Sequence, residues 1–122
     1  AANTTATGNT AVGYVALIAN TTGANNTAVG RRALAANTEG TANTSLGANA
    51  LCANTTADNN TAVGYASLTS NTTGTRNLAI GCRSPVTIST RERTATISFP
   101  TCKPSFVGIF CYYIIKNTCK IW

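Results

Sequence analysis

Asparagine recurs at positions 9, 26, 43, 60 and 77, a spacing of 17 residues at every step, and glycine follows four residues later each time, at 13, 30, 47, 64 and 81. The residue just before each glycine is aliphatic: Val12, Val29, Leu46, Val63 and Ile80. Leucine stands eight residues after the asparagine, at 17, 34, 51 and 68, and a second Asn-Thr pair recurs at 20, 37, 54 and 71. The unit reads N-T-A-V-G-x-x-A-L-x-x-N-T-T-G-x-x, and repeat positions are counted from its first asparagine. A fixed period is a strong constraint, because every unit must fold alike and bury its apolar surface against its neighbours.

The period selects an architecture. A helical repeat needs roughly 33 to 47 residues per unit, and Asn, Thr, Val and Gly are poor residues for helix interiors. A unit this short fits one turn of a β-solenoid (β-roll), an all-β fold of stacked 17-residue turns. Asn-Thr-Ala-Val-Gly is expected to form one strand leading into a glycine corner. The Ala-Leu stretch is then a second strand and Asn-Thr-Thr-Gly a second corner, with glycine supplying positive φ at the corners.

Stacking turns about 4.8 Å apart sets equivalent residues above one another. The expected core is a narrow one in which Val12, Val29, Leu46, Val63 and Ile80 form one buried column and the leucines another. Aspartate in place of Val29 or Val63 is accordingly expected to unfold adjacent turns, since an unpaired buried carboxylate costs several kcal/mol. Columns of asparagine are expected to pair their amides along the stack, as in cross-β ladders, which accounts for the recurring Asn without a ligand. Alanine at the third and eighth positions either keeps the cross-section thin or lets a neighbouring chain pack closely. Strand facing around a corner leaves both readings open.

Asn60-Thr61-Ala62-Val63-Gly64-Tyr65-Ala66-Ser67-Leu68, followed by Asn71-Thr72-Thr73-Gly74, resembles the repeats of fibre-like proteins from phages, large viruses and bacteria. The aliphatic-Gly core of the unit is also similar to the head repeats of trimeric autotransporter adhesins. The resemblance spans residues 1 to about 84 and implies a β-roll, association of three chains and an extracellular setting on a cell-surface appendage or virion. The unit is longer than the adhesin heads' usual repeat.

Composition excludes much else. Charged residues make up 10% of the chain, against about a quarter in an ordinary globule, and small or uncharged polar residues take their place. There is no His, and the acidic residues are Glu39, Asp58 and Glu92, far apart in sequence. Most catalytic constellations need His or paired carboxylates, so neither a catalytic nor a cofactor-binding residue is assigned and the chain is read as no enzyme. The net charge of +6 divides into +2 over residues 1–84, where Arg31, Arg32, Arg76 and Arg83 stand against Glu39 and Asp58, and +4 beyond them. No basic helix or basic–aromatic stripe is visible along the sequence, and a nucleic-acid partner is not expected.

Residues 85–122 form a second segment, a β-rich tail, holding all the Lys, Phe, Pro and Trp. Val86 and Ile88, then Ala95, Ile97 and Phe99, alternate with Thr and Ser as in half-buried strands. The apolar run Phe106–Ile115 is too short to span a bilayer, so the chain is not expected to cross a membrane, and its β-branched and aromatic bias suits a strand. The tail reads as a cap on the last turn, as a strand docked on a neighbouring subunit, or as an end whose reading frame was lost.

Cysteines stand at 52, 82, 102, 111 and 119. They include no C-x-x-C pair and have no His to complete a zinc site, so no metal is expected. Their odd number leaves one thiol free or intermolecular, with Cys102, Cys111 or Cys119 the candidates for a bridge between subunits. Sequons at Asn3, Asn20, Asn25, Asn43, Asn54, Asn59 and Asn71 are what an Asn/Thr-rich repeat generates automatically. Thr21, Thr55 and Thr72 form a rank at an expected corner, where an ice-binding solenoid would want a flat face.

These readings converge on a structural subunit that assembles with copies of itself into an extracellular fibre, as a head-to-tail filament, a trimer or both. The sequence enters the repeat mid-turn at Ala1, and an open solenoid edge is a template for another chain. Trimerisation is expected to bury the alanine columns. The alternative is an adhesin, a receptor- or glycan-binding fibre head; the exposed positions vary between repeats, which suits a scaffold better.

Overall fold

The computed structural model describes residues 5–84 and the strand at 94–97. It is an all-β solenoid of stacked 17-residue coils, with no helix among the described residues. Each coil contributes one short strand: β1 (Thr10–Val12), β2 (Thr27–Val29), β3 (Thr44–Leu46), β4 (Thr61–Val63), β5 (Asn77–Ile80) and β6 (Thr94–Ile97). They line up in chain order in a single parallel sheet. The register is the sequence period itself: Thr10 pairs with Thr27, Thr27 with Thr44 and Thr44 with Thr61. Asn77 pairs with Thr94, so the 17-residue spacing continues past residue 84 into the tail, where β6 is one of the strands expected there. Val86, Ile88 and the Phe106–Ile115 run lie outside the described residues.

The Ala-Leu stretch is not a second strand. Its residues at repeat positions seven and nine are left-handed in every complete coil, for example Arg32 (φ 59°) and Leu34 (φ 49°). An extended strand cannot alternate through that region. The segment is a chain of tight turns instead, stitched both within and between coils. Asn37 N–H donates to Leu34 C=O at 3.2 Å, and Leu34 N–H to Ala50 C=O in the next coil at 3.1 Å.

The strand faces the opposite way from the expected one. Val12, Leu46 and Ile80 are 56%, 43% and 40% exposed, and Val29 and Val63 are half-buried. The inward residues are their neighbours: Ala28, Ser45, Ala62 and Ala79 are each 0% exposed. Strand residues alternate between faces with period two, and the asparagine at position one (Asn26, Asn43, Asn60 and Asn77) is buried. Position three therefore shares its side, and positions two and four point outward. Val29→Asp and Val63→Asp are consequently expected to place a charge on the outer surface and to leave adjacent turns folded.

The core that results is thin. Leu17, Leu34, Leu51 and Leu68 form the expected buried column, and alanines at positions three and eight oppose each other beside it. Where serine replaces alanine, its hydroxyl crosses the core. Ser45 Oγ donates to Ala50 C=O at 2.8 Å and Ser67 Oγ to Ala79 C=O at 3.1 Å, so neither buried hydroxyl is left unpaired. From the second coil on, the alanine columns are thus already filled against their own coil, with Ala28, Ala33, Ala50, Ala62 and Ala79 each 0% exposed, and a contact between chains has no alanine surface there to bury.

Two amide ladders hold the stack, as expected. Asn37 Nδ2 donates to Asn20 Oδ1 at 2.8 Å, Asn54 Nδ2 to Asn37 Oδ1 at 2.9 Å and Asn71 Nδ2 to Asn54 Oδ1 at 3.1 Å. The second ladder runs through position one, where Asn43 N–H donates to Asn26 Oδ1 and Asn60 N–H to Asn43 Oδ1, both at 2.9 Å. Glycine serves two different needs. At position five φ lies between 122° and 137°, and a Cβ on Gly13 would stand 2.6 Å from Gly30 O. Gly23 and Gly40, at the other corner, are outside the left-handed region, and a Cβ there would meet the asparagine amides and the carbonyl of the next coil.

Candidate interaction surfaces

With Leu, Ala and Asn filling the coil, the outward side chains are what this chain presents to its surroundings, and the coil sorts them into rows parallel to the axis. The first row is the outer strand face. It carries Thr10, Thr27, Thr44 and Thr61 at position two and the aliphatics Val12, Val29, Leu46, Val63 and Ile80 at position four. Neither position holds a charged residue. Because the strands are parallel and in register, this is an uncharged surface with an exposed aliphatic rail.

The second row lies past the position-five glycine. Tyr14 and Tyr65 are 73% and 48% exposed, and Arg31, Arg32 and Arg83 are exposed with them. The Arg83 guanidinium sits over the Tyr65 ring, 5.9 Å from its centre, within cation–π range. Residues 17 apart become neighbours here, which creates a basic–aromatic stripe that reading along the chain does not reveal.

The third row is the Asn-Thr-Thr corner. Thr21, Thr22 and Gly23 N–H all donate to Thr38 C=O, at 3.0, 3.1 and 3.2 Å. Thr21 Oγ1 donates to the same carbonyl at 3.0 Å, and Thr38 Oγ1 donates to Thr55 C=O at 3.2 Å. Of the hydroxyl rank singled out in the sequence at Thr21, Thr55 and Thr72, the first two thus spend their donors on holding coils together, Thr55 Oγ1 donating to Thr72 C=O at 3.4 Å. Asp58 lies at this corner too, with Oδ1 accepting from Thr41 N–H at 2.7 Å and Thr41 Oγ1 at 3.0 Å.

No protein-family model matches the chain, and no curated protein or solved structure is significantly similar to it.

Among the described residues no three His, Cys, Asp or Glu side chains come together. Cys52 and Cys82 are half-buried and not joined in a disulfide, at different positions of their coils. Cys102, Cys111 and Cys119 lie outside the described residues, as does Glu92. No described helix is long and apolar enough to cross a membrane. Of the sequon asparagines, Asn20, Asn43, Asn54 and Asn71 are buried, whereas Asn25 and Asn59 are exposed.

Proposed function

We propose that this chain is a non-catalytic structural subunit of an extracellular fibre, and that its copies pack side by side through the outer strand face. The carrying observation is the aliphatic rail at Val12, Leu46 and Ile80, left in solvent on a strand face that bears no charge. A contiguous apolar strip of this kind is an association surface. The residues of the rail repeat at the coil spacing, so a second copy of the chain can meet it with a row of the same pitch. This replaces the alanine columns as the lateral contact. Stacking end to end is compatible with it, because successive coils match in register and the face of one coil fits the opposite face of another. The resemblance of the repeats to those of fibre-like proteins supports the extracellular setting.

Sedimentation of the full chain beside Leu46→Asp tests the proposal. The unaltered chain is expected to run as a large assembly and the variant, still folded by circular dichroism, as a much smaller species. Equal sedimentation of the two would remove the strand face as the contact.

A further inference from the structure

We infer that the Tyr/Arg stripe is a binding site for an acidic polysaccharide, a sugar polymer bearing carboxylate or sulfate groups. The inference concerns a different surface from the strand face and does not rest on assembly.

The coil brings together what a sugar acid needs. Tyr14 and Tyr65 are exposed rings whose faces suit the apolar side of a pyranose, since an aromatic offers a large apolar surface with little conformational entropy to lose. Arg31 and Arg32 stand one coil after Tyr14, and Arg83 stands one coil after Tyr65. A guanidinium presents paired donors that match a carboxylate or sulfate. The set repeats: Tyr14 to Tyr65 and Arg32 to Arg83 are each 51 residues, three coils, or about 14 Å along the axis at the usual strand spacing. A linear polymer laid along the axis meets a ring and then a cation, and meets both again three coils later.

The backbone under the stripe is rigid. Arg32 N–H donates to Tyr14 C=O at 2.9 Å, Asn49 N–H to Arg31 C=O at 2.9 Å and Arg83 N–H to Tyr65 C=O at 2.7 Å. Positions six and seven are therefore pinned from coil to coil, and the side chains start from fixed roots, which lowers the ordering cost of binding. No acidic residue occupies positions six or seven in any coil; Glu39 and Asp58 lie at the Asn-Thr-Thr corner, and the Asp58 carboxylate is held by Thr41.

The density of charge favours a polysaccharide over nucleic acid. Duplex DNA carries a charge about every 1.7 Å and is bound by neutralising many phosphates at once. Here arginines occur on two levels of the stripe with an uncharged coil, Ala48 and Asn49, after the first of them. That spacing suits a sparsely charged chain.

The test is binding of the full chain to immobilised polygalacturonate, heparin, neutral dextran and poly(dT). The carboxylate and sulfate arms identify which acid is preferred. Binding to at least one of the two acidic glycans is expected, weakening as salt rises, with none to dextran. The double variant R31Q/R32Q should lose tenfold or more, Y65A severalfold, and Arg76→Gln, outside the stripe, should bind as the unaltered chain does. Circular dichroism confirms that each variant folds; these side chains are exposed. No binding to either acidic glycan overturns the inference. So does undiminished binding by R31Q/R32Q, which would place the attraction in the basic tail, and so does tighter binding to poly(dT), which would make the stripe a nucleic-acid surface.

Discussion

Asn37 Nδ2 donates to Asn20 Oδ1, on the equivalent asparagine one coil away, at 2.8 Å, and gives its other hydrogen to Gly40 C=O at 2.9 Å. Each rung of this ladder is buried, so its amides have no water to fall back on. Asn54 is the next rung, donating to Asn37 Oδ1 and Ala57 C=O, both at 2.9 Å. Asn54→Ala strips the donor from Asn37 Oδ1, while Ala57 C=O keeps its bond from Asn43 Nδ2 at 2.8 Å, and should cost about 1–3 kcal/mol for the one buried group left unsatisfied. Thermal unfolding followed by circular dichroism measures it.

Asn54→Asp sharpens the point, because the carboxylate is isosteric but has no donor. Burial raises its folded-state pKa above the unfolded value of about 3.9. The protonated form, which can donate, is then favoured in the fold. Its stability deficit should be largest at neutral pH and shrink as pH falls through the folded pKa toward the unfolded one. Urea unfolding at several pH values checks this; a deficit independent of pH would show that the carboxyl at position 54 is not buried in the fold.

Ser45 and Leu46 are adjacent yet face opposite ways, 0% and 43% exposed. Ser45→Asp should unfold the neighbouring coils, since it buries an unpaired charge at a cost of several kcal/mol. Leu46→Asp should change the stability of the separated chain by about 1 kcal/mol or less. Denaturant titrations on the two variants decide between this facing and the reverse.

That facing was recoverable from the sequence by parity. Asn26 and Val29 are three residues apart in one extended segment, an odd separation, so an inward Asn column and an inward Val column exclude each other. The period, the parallel register, the leucine column and the amide ladders were legible because each is a matter of which residues recur. The reversed strand was not, because Val outranks Ala on hydrophobicity, whereas the space inside a one-strand coil admits only Ala or Ser beside Asn and Leu. The turns at Arg32 and Leu34 were hidden for a related reason: they are left-handed without glycine, held by bonds from the coils on either side. The Tyr/Arg stripe was invisible until residues 17 apart became neighbours.

Gly47 has φ of 137°, where only glycine is comfortable, and a Cβ there would stand 2.7 Å from the Gly64 carbonyl carbon. Gly47→Ala should therefore destabilise by about 2 kcal/mol or more, from backbone strain and overlap together. At the other corner Ala57 already takes the place of glycine, so Ala57→Gly should have a much smaller effect. Melting temperatures of the two variants, compared side by side, check the contrast.

Glycans discriminate between ladder asparagines and surface ones. When the chain is made in a eukaryotic secretory host and is already folded as it meets the transferase, Asn25 and Asn59 should be the modified sequons among the described residues. Asn43 and Asn54, each 0% exposed, should stay bare. Peptide mass spectrometry reads this directly, and glycan on Asn54 in folded material would contradict its place in the core.

Fibre diffraction from oriented native material, with electron microscopy beside it, decides whether this solenoid is a fibre subunit. Long, regular fibres are expected, with a meridional reflection near 4.8 Å, the spacing of coils stacked along the fibre axis. A discrete, stable monomer of 12.5 kDa under native conditions, with no fibres, would contradict that role.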